Sequence, residues 1–243
     1  MDAWGDRHAI GDQLTRASGS IVENIAFASA SFTGDKFRCM DYAIGSILES
    51  AACIDLALVK GLITPAQECC EKKYLFRLHN MMQALKRSWS DPSRVLKESG
   101  TEYIVGKEAL FHHEKLDVYQ VALALNKNIN DSHEVHQMTR SKFRRVDEPA
   151  TSIVLNIAEG VGGYSGAEKR RFFEVALESA VKLAARIDVC SVQKLVSVEK
   201  GCHWKSLIER ITAMLTVMVD TPRRQNSLSG LTSVLTTDCS VEN

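Results

Sequence analysis

Three groups of residues in this 243-residue chain could do chemistry. The first is basic. Lys169, Arg170 and Arg171 stand together, Arg144 and Arg145 lie 25 residues before them, and Arg16, Lys36 and Arg38 occur near the start. Such side chains at helix starts suit an anion, because backbone amides and cations then favour the same phosphate. Unliganded, each exposed cation in a first helical turn opposes the helix dipole by about 0.3–1 kcal/mol. The plainer alternative is a solvated charged face, with Glu168 and Glu174 as local partners.

The second group is histidine. His133 and His136 are three apart, and His112-His113 precede Glu114 and Asp117. Helical bundles hold metals on inward Glu-x-x-His motifs repeated on two helices. That repeat is missing here, so neither metal nor cofactor is expected. The third group is glycine: Gly160-x-Gly162-Gly163-x-x-Gly166 looks like a nucleotide loop. It follows a helical pattern instead of a strand, and no Gly-Lys-Ser/Thr accompanies it, so phosphate-loop chemistry is not expected. Ser, His and Asp occur without a nucleophile motif. No enzyme is expected.

The elements that position these groups read as helices. Phe172, Ala176, Ser179, Leu183, Ile187 and Cys190 step by three or four, the spacing of one helical face. Val118 to Ile129, Val146 to Val161 and Leu207 to Met218 show similar stripes. Residues 112–222 therefore predict four helices with short, antiparallel connections. Pro149 is expected in the first turns of the second of them, where proline is best tolerated.

A phrase occurs twice. Ser20-Ile-Val-Glu-Asn-Ile-Ala26 matches Ser152-Ile-Val-Leu-Asn-Ile-Ala158 at a spacing of 132. After the next loop the spacing becomes 133. Ala43, Ser46, Ala51, Ala52, Ile54 and Asp55 then align with Ala176, Ser179, Ala184, Ala185, Ile187 and Asp188. Tyr74, Leu75, Leu78, Met81, Met82 and Leu85 align with Leu207, Ile208, Ile211, Met214, Leu215 and Met218. This register implies an internal duplication. Helix one of the second copy has no counterpart, so seven main helices are expected.

The fold expectation is all-α: two tandem up-down antiparallel bundle units, the first lacking its first helix (three helices), the second with four. The units span 1–90 and 112–224, a linker spans 91–111, and a flexible tail spans 225–243. The three-helix unit would leave an apolar groove. The linker, helix one of the second unit, or another chain must cover it.

Composition agrees with a helical globular class: 45% hydrophobic, 25% charged, four prolines. Thirty basic residues balance thirty acidic ones, so no global field draws the chain to nucleic acid or membrane. No apolar run near 20 residues and no basic-then-apolar leader is visible, and most of the seven cysteines sit among apolar neighbours. These features suggest a cytoplasmic chain with buried free thiols and no membrane partner.

The second copy resembles a family of small bacterial four-helix bundle proteins. Some of these are encoded within intervening sequences of ribosomal RNA genes; others are accessory variability proteins of diversity-generating retroelements. The resemblance rests on Leu116-Asp-Val-Tyr-Gln-Val-Ala122, Ser152-Ile-Val-Leu-Asn-Ile-Ala-Glu-Gly160 and Lys169-Arg-Arg-Phe-Phe173. The copies depart from the pattern in complementary ways. The first keeps Gln13-Leu-Thr-Arg-Ala17 but has Phe27-Ala28 in place of Glu-Gly; the second keeps Glu159-Gly160 but has Asp147-Glu148 in place of two arginines.

The resemblance implies a non-enzymatic binder of RNA or of a reverse-transcriptase-like nucleoprotein, self-associating as a homo-oligomer. Its rival is a protein–protein assembly module with no nucleic-acid role. Arg16, Lys36, Arg38, Arg144, Arg145, Lys169, Arg170 and Arg171 are the candidate contacts. Structural roles are expected for Ser20, Ser152, Asn24, Asn156, Asp55, Asp188, Glu159 and Gly160. Each Asn is expected to be a structural polar residue that fixes helix register, bonded across the bundle, with Asp55 or Asp188 as the candidate partner, or to a helix end.

Overall fold

The computed structural model describes residues 4–30, 35–90, 110–162 and 166–235, with backbone alone at 4–8, 30 and 221–235. The fold is an all-α bundle, with no strand among the described residues. The described residues form seven long helices: α1 (Trp4–Ala30), α2 (Asp35–Val59), α3 (Pro65–Ser90), α4 (Asp117–Asn130), α6 (Arg140–Gly160), α7 (Gly166–Val192) and α8 (Val198–Leu235). A 3-10 turn (His113–Lys115) and a one-turn helix α5 (His133–His136) flank α4. The expected linker falls largely on residues 91–109, outside the described residues. Helix α8 runs on to Leu235, through much of the segment expected to be loose.

Helices α4, α6, α7 and α8 close a four-membered ring, each packing on two neighbours. Helices α1 and α3 pack on α2 as α6 and α8 pack on α7. Helix α2 also packs on α4 and α6, so it is enclosed on several sides. That explains its near-continuous apolar sequence, since a helix apolar all round must be buried all round. It is long and apolar enough to cross a membrane, contrary to the reading of short apolar runs, but most of it is buried inside the bundle. Its Ala52, Cys53, Leu56 and Ala57 belong to the core built by α4, α6, α7 and α8. The expected groove is filled from within the chain: Phe111 packs with Ile44, Ile47, Leu48 and Met82, and Leu110 lies beside it.

Local bonds recur at the spacings found in the sequence. Asn24 Nδ2 donates to the Ser20 carbonyl (2.8 Å) and hydroxyl (3.1 Å), and Ser46 Oγ bonds Ser20 Oγ at 2.9 Å. Asn156 Nδ2 makes the same bonds to Ser152 (2.8 and 3.2 Å), and Ser152 meets Ser179 at 2.9 Å. Each Asn thus bonds within its own helix. The expected link to Asp55 or Asp188 is not formed: each aspartate lies nine residues beyond the bridging serine, with Asp55 bonded to Lys72 and Tyr119 and Asp188 to Lys205. The Asn that does bond across helices is Asn126, buried on α4. Its amide reaches the Ala150 carbonyl on α6 at 2.9 Å and the Ala122 carbonyl at 3.0 Å.

Pro149 lies in the middle of α6, not in its first turns, because the helix begins six residues earlier than its apolar stripe. Proline cannot donate to the carbonyl four residues back. That carbonyl, of Arg145, accepts a bond from the Arg186 guanidinium instead. In the first half Ala17 and Cys53 occupy the corresponding positions, where no such repair is required. Among the described cysteines Cys53 and Cys190 are buried, but Cys70 and Cys202 are exposed, so the expectation of buried thiols holds only in part.

Gly160 is small because the Phe173 ring lies on it: a Cβ there would sit 2.6 Å from Cε1. The corresponding first-half pair is Ala28 and Met40, both in one core cluster. The side chain lost from one helix is gained by the other. Glu159 is half-buried beside Gly160. The α2–α3 and α7–α8 turns also match. Leu62 N bonds the Ala57 carbonyl (2.8 Å) around Gly61 at φ 66°, and Leu195 N bonds the Cys190 carbonyl (2.9 Å) around Lys194 at φ 56°.

Two outcomes are expected. Lys194→Gly stabilises the fold by about 0.5–1 kcal/mol, since glycine reaches positive φ without the Cβ penalty, and Gly61→Lys destabilises it; urea melts check both. Gly160→Ala costs about 1–3 kcal/mol by overpacking. Adding Phe173→Met recovers much of that loss, and the coupling is read from a double-mutant cycle.

Candidate nucleic-acid interface

The starts of α2 and α7 read Asp35-Lys-Phe-Arg38 and Glu168-Lys-Arg-Arg171. The fold brings them to one end of the molecule. Tyr42 on α2 donates its hydroxyl to Glu168 Oε1 on α7 at 3.1 Å. That bond, followed by burial, lifts the Tyr42 phenol above its ordinary range, while Arg38 and Arg171 pull it down. Both arginines therefore lie near the tyrosine. Lys36 Nζ sits 5.2 Å from the Trp89 ring centroid and 5.3 Å from that of Phe37, close enough for cation–π attraction.

Charge here is only partly compensated. Arg38 pairs with Asp35 at 3.2 Å and Arg170 with Glu174 at 2.7 Å. Lys169 and Arg171 form no ion pair among the described residues. Exposed pairs of this kind contribute about 0–1 kcal/mol, so exchanging a carboxylate for a phosphate costs little. Five of the eight candidate cations thus share one end, with Tyr42 and Trp89 beside them.

The other three do not join them. Arg144 pairs with Glu148 at 2.5 Å, and Arg145 is exposed near the C-terminal part of α7, where its carbonyl meets Arg186. From Lys169 to Arg186 is about 25 Å along the helix, at 1.5 Å per residue. Arg16 bonds Gln13 on its own helix, near Glu49 of α2.

A second polar cluster lies inside the molecule, where α2, α3 and the residues before α4 meet. Lys72 Nζ on α3 contacts Asp55 Oδ1 at 2.5 Å, Glu114 Oε1 at 2.6 Å and Glu68 Oε1 at 3.2 Å. Tyr119 donates its hydroxyl to Asp55 Oδ2 at 2.8 Å. Burial alone would pull the Lys72 ammonium down, but Asp55 and Glu114 outweigh it and hold the pKa above its ordinary range. Burial pushes the neighbouring His113 imidazole down to about 3, with Lys72 adding to the effect.

In the second half Asp188 and Lys205 form the corresponding pair at 2.8 Å, but on the surface. The sequence marked Asp55 and Asp188 as structural without signalling either lysine. The matching spacing of 17 residues in both halves was the available clue. Glu114 stood out only beside His112 and His113, and nothing in the sequence tied it or Tyr119 to Asp55; that tie comes from the packing of α4 on α2.

Neither a curated protein nor a solved structure is found to match the chain. Residues 114–217, which include α4, α6, α7 and most of the sequence-matched part of α8, match the family model described as the 23S rRNA-intervening sequence protein.

Proposed function

We propose that the chain is a non-enzymatic RNA-binding protein that holds phosphates at the end where α2 and α7 begin. The observation that carries this reading is the Tyr42–Glu168 bond, which brings the basic starts of α2 (Lys36, Arg38) and α7 (Lys169, Arg170, Arg171) to one end, with Arg38 and Arg171 acting on the phenol. The ribosomal RNA link in the description of the matching family supports the choice of RNA over other polyanions. With formal charge zero over the whole chain, attraction must come from this local group. We read the chain as one helical module present twice, the first lacking its α4 counterpart; the recurring Ser–Asn–Ser bonds support that reading.

A second reading, self-association, has its own observation. Leu48 and Leu56 of α2 are buried, while the matching Val181 and Val189 of α7 are 63% and 52% exposed. Val154 of α6 is fully buried, while the matching Val22 of α1 is 68% exposed. Positions buried in one half are thus bare at the matching places in the other. A partner carrying apolar complements would cover them.

Titration with structured RNA should show affinity falling steeply from 50 to 200 mM salt. Lys169→Gln with Arg171→Gln should weaken binding about tenfold or more and reduce the salt slope by roughly one to two, without changing the melting temperature. Binding insensitive to salt, or lost only in Arg144→Gln with Arg145→Gln, overturns the assigned end. For the second reading, light scattering at rising concentration should report more than one chain, and Val181→Glu with Val22→Glu should return a monomer.

A further inference from the structure

We propose that Asp55, His113 and Glu114 form a divalent-cation site at the junction of α2, α3 and α4, closed in the metal-free chain by the Lys72 ammonium. One ligand atom from each of the three lies within 4.8 Å of the other two, and all three residues are buried.

Each carboxylate is built with one oxygen anchored and one turned inward. Asp55 Oδ2 accepts from Tyr119, leaving Oδ1 toward the cluster. Glu114 Oε2 accepts the backbone N–H groups of Leu110 (2.7 Å) and Phe111 (3.3 Å), leaving Oε1 inward. Such outer bonds are what orient ligands around a metal.

His113 supplies the independent observation. It is completely buried, and neither ring nitrogen has a hydrogen-bond partner. Its ring stacks on Phe111, with centroids 5.7 Å apart, and meets Tyr119 edge-on at 4.7 Å. Leaving a buried polar group unpaired is costly, and native proteins seldom do so without a reason. A cation between the imidazole and the two inward oxygens would give one nitrogen its partner.

Charge also allows it. Asp55, Glu114 and Lys72 sum to one negative charge, and Glu68 at the rim adds another. Lys72 has a retreat: Glu68 stands one turn earlier on α3, is 21% exposed, and already touches the ammonium at 3.2 Å. One imidazole with two carboxylates suits zinc, cobalt or manganese better than magnesium or calcium, which prefer all-oxygen sites.

The test uses the full-length chain, stripped with chelator and titrated with Co²⁺ or Zn²⁺. The expected result is one ion per chain, a melting temperature that rises until one equivalent is bound, and a visible Co²⁺ spectrum of nitrogen and oxygen ligands. His113→Phe, which keeps the stacking on Phe111, should abolish the stoichiometric binding while circular dichroism stays helical. Lys72→Met, which removes the competing ammonium, should tighten binding at least tenfold. Absence of stoichiometric binding in the native chain overturns the proposal. So does binding that persists in His113→Phe, or a thiolate spectrum, which would place the ion on exposed Cys70 or Cys202 instead.

Discussion

Enclosure of α2 is the constraint on which the rest of this molecule depends. Its sequence offers almost no polar face, so it is stable only when neighbours surround it. Helices α1 and α3 supply part of the cover, and α4, α6 and Phe111 supply the rest. Because α4 and α6 come from the C-terminal ring, the two halves share one core instead of owning one each. The ion cluster of Asp55, Lys72 and Glu114 follows from the same enclosure. The corresponding Asp188–Lys205 pair is exposed on the surface and stays wet.

The sequence-matched segments of the two halves therefore differ by environment while keeping their local geometry. The serine pairs, the asparagine bonds and the inter-helix turns depend only on adjacent helices, and they agree closely. Volume is redistributed locally, as between Gly160 with Phe173 and Ala28 with Met40. A missing donor is repaired locally, as when Arg186 serves the carbonyl freed by Pro149.

What the sequence made legible was periodic. Apolar stripes gave the helices, and a fixed spacing gave the correspondence between halves, because both signals repeat along the chain. Residue spacing placed Asn24 and Asn156 near the core, but could not show that Ser20 and Ser152 one turn earlier would take their amides. Asn126 has no counterpart in the first half, so the repeat did not point to it. The clustering of Lys36 and Arg38 with Lys169 to Arg171 was hidden for another reason. It depends on how α2 and α7 both pack on α6, a relation carried by no local pattern.

The enclosure of α2 also has a consequence for how the chain is made. Synthesis runs from the N-terminus, so α2 emerges about 100 residues before Gly160 completes the last of its cover. At roughly 5–20 residues per second this leaves about 5–20 s in which one apolar side faces solvent. A helix of that length and apolarity, nascent and uncovered, exposes the kind of surface that makes a partly folded chain prone to aggregate. The order in which the segments are written thus sets a period of vulnerability that the finished bundle no longer displays.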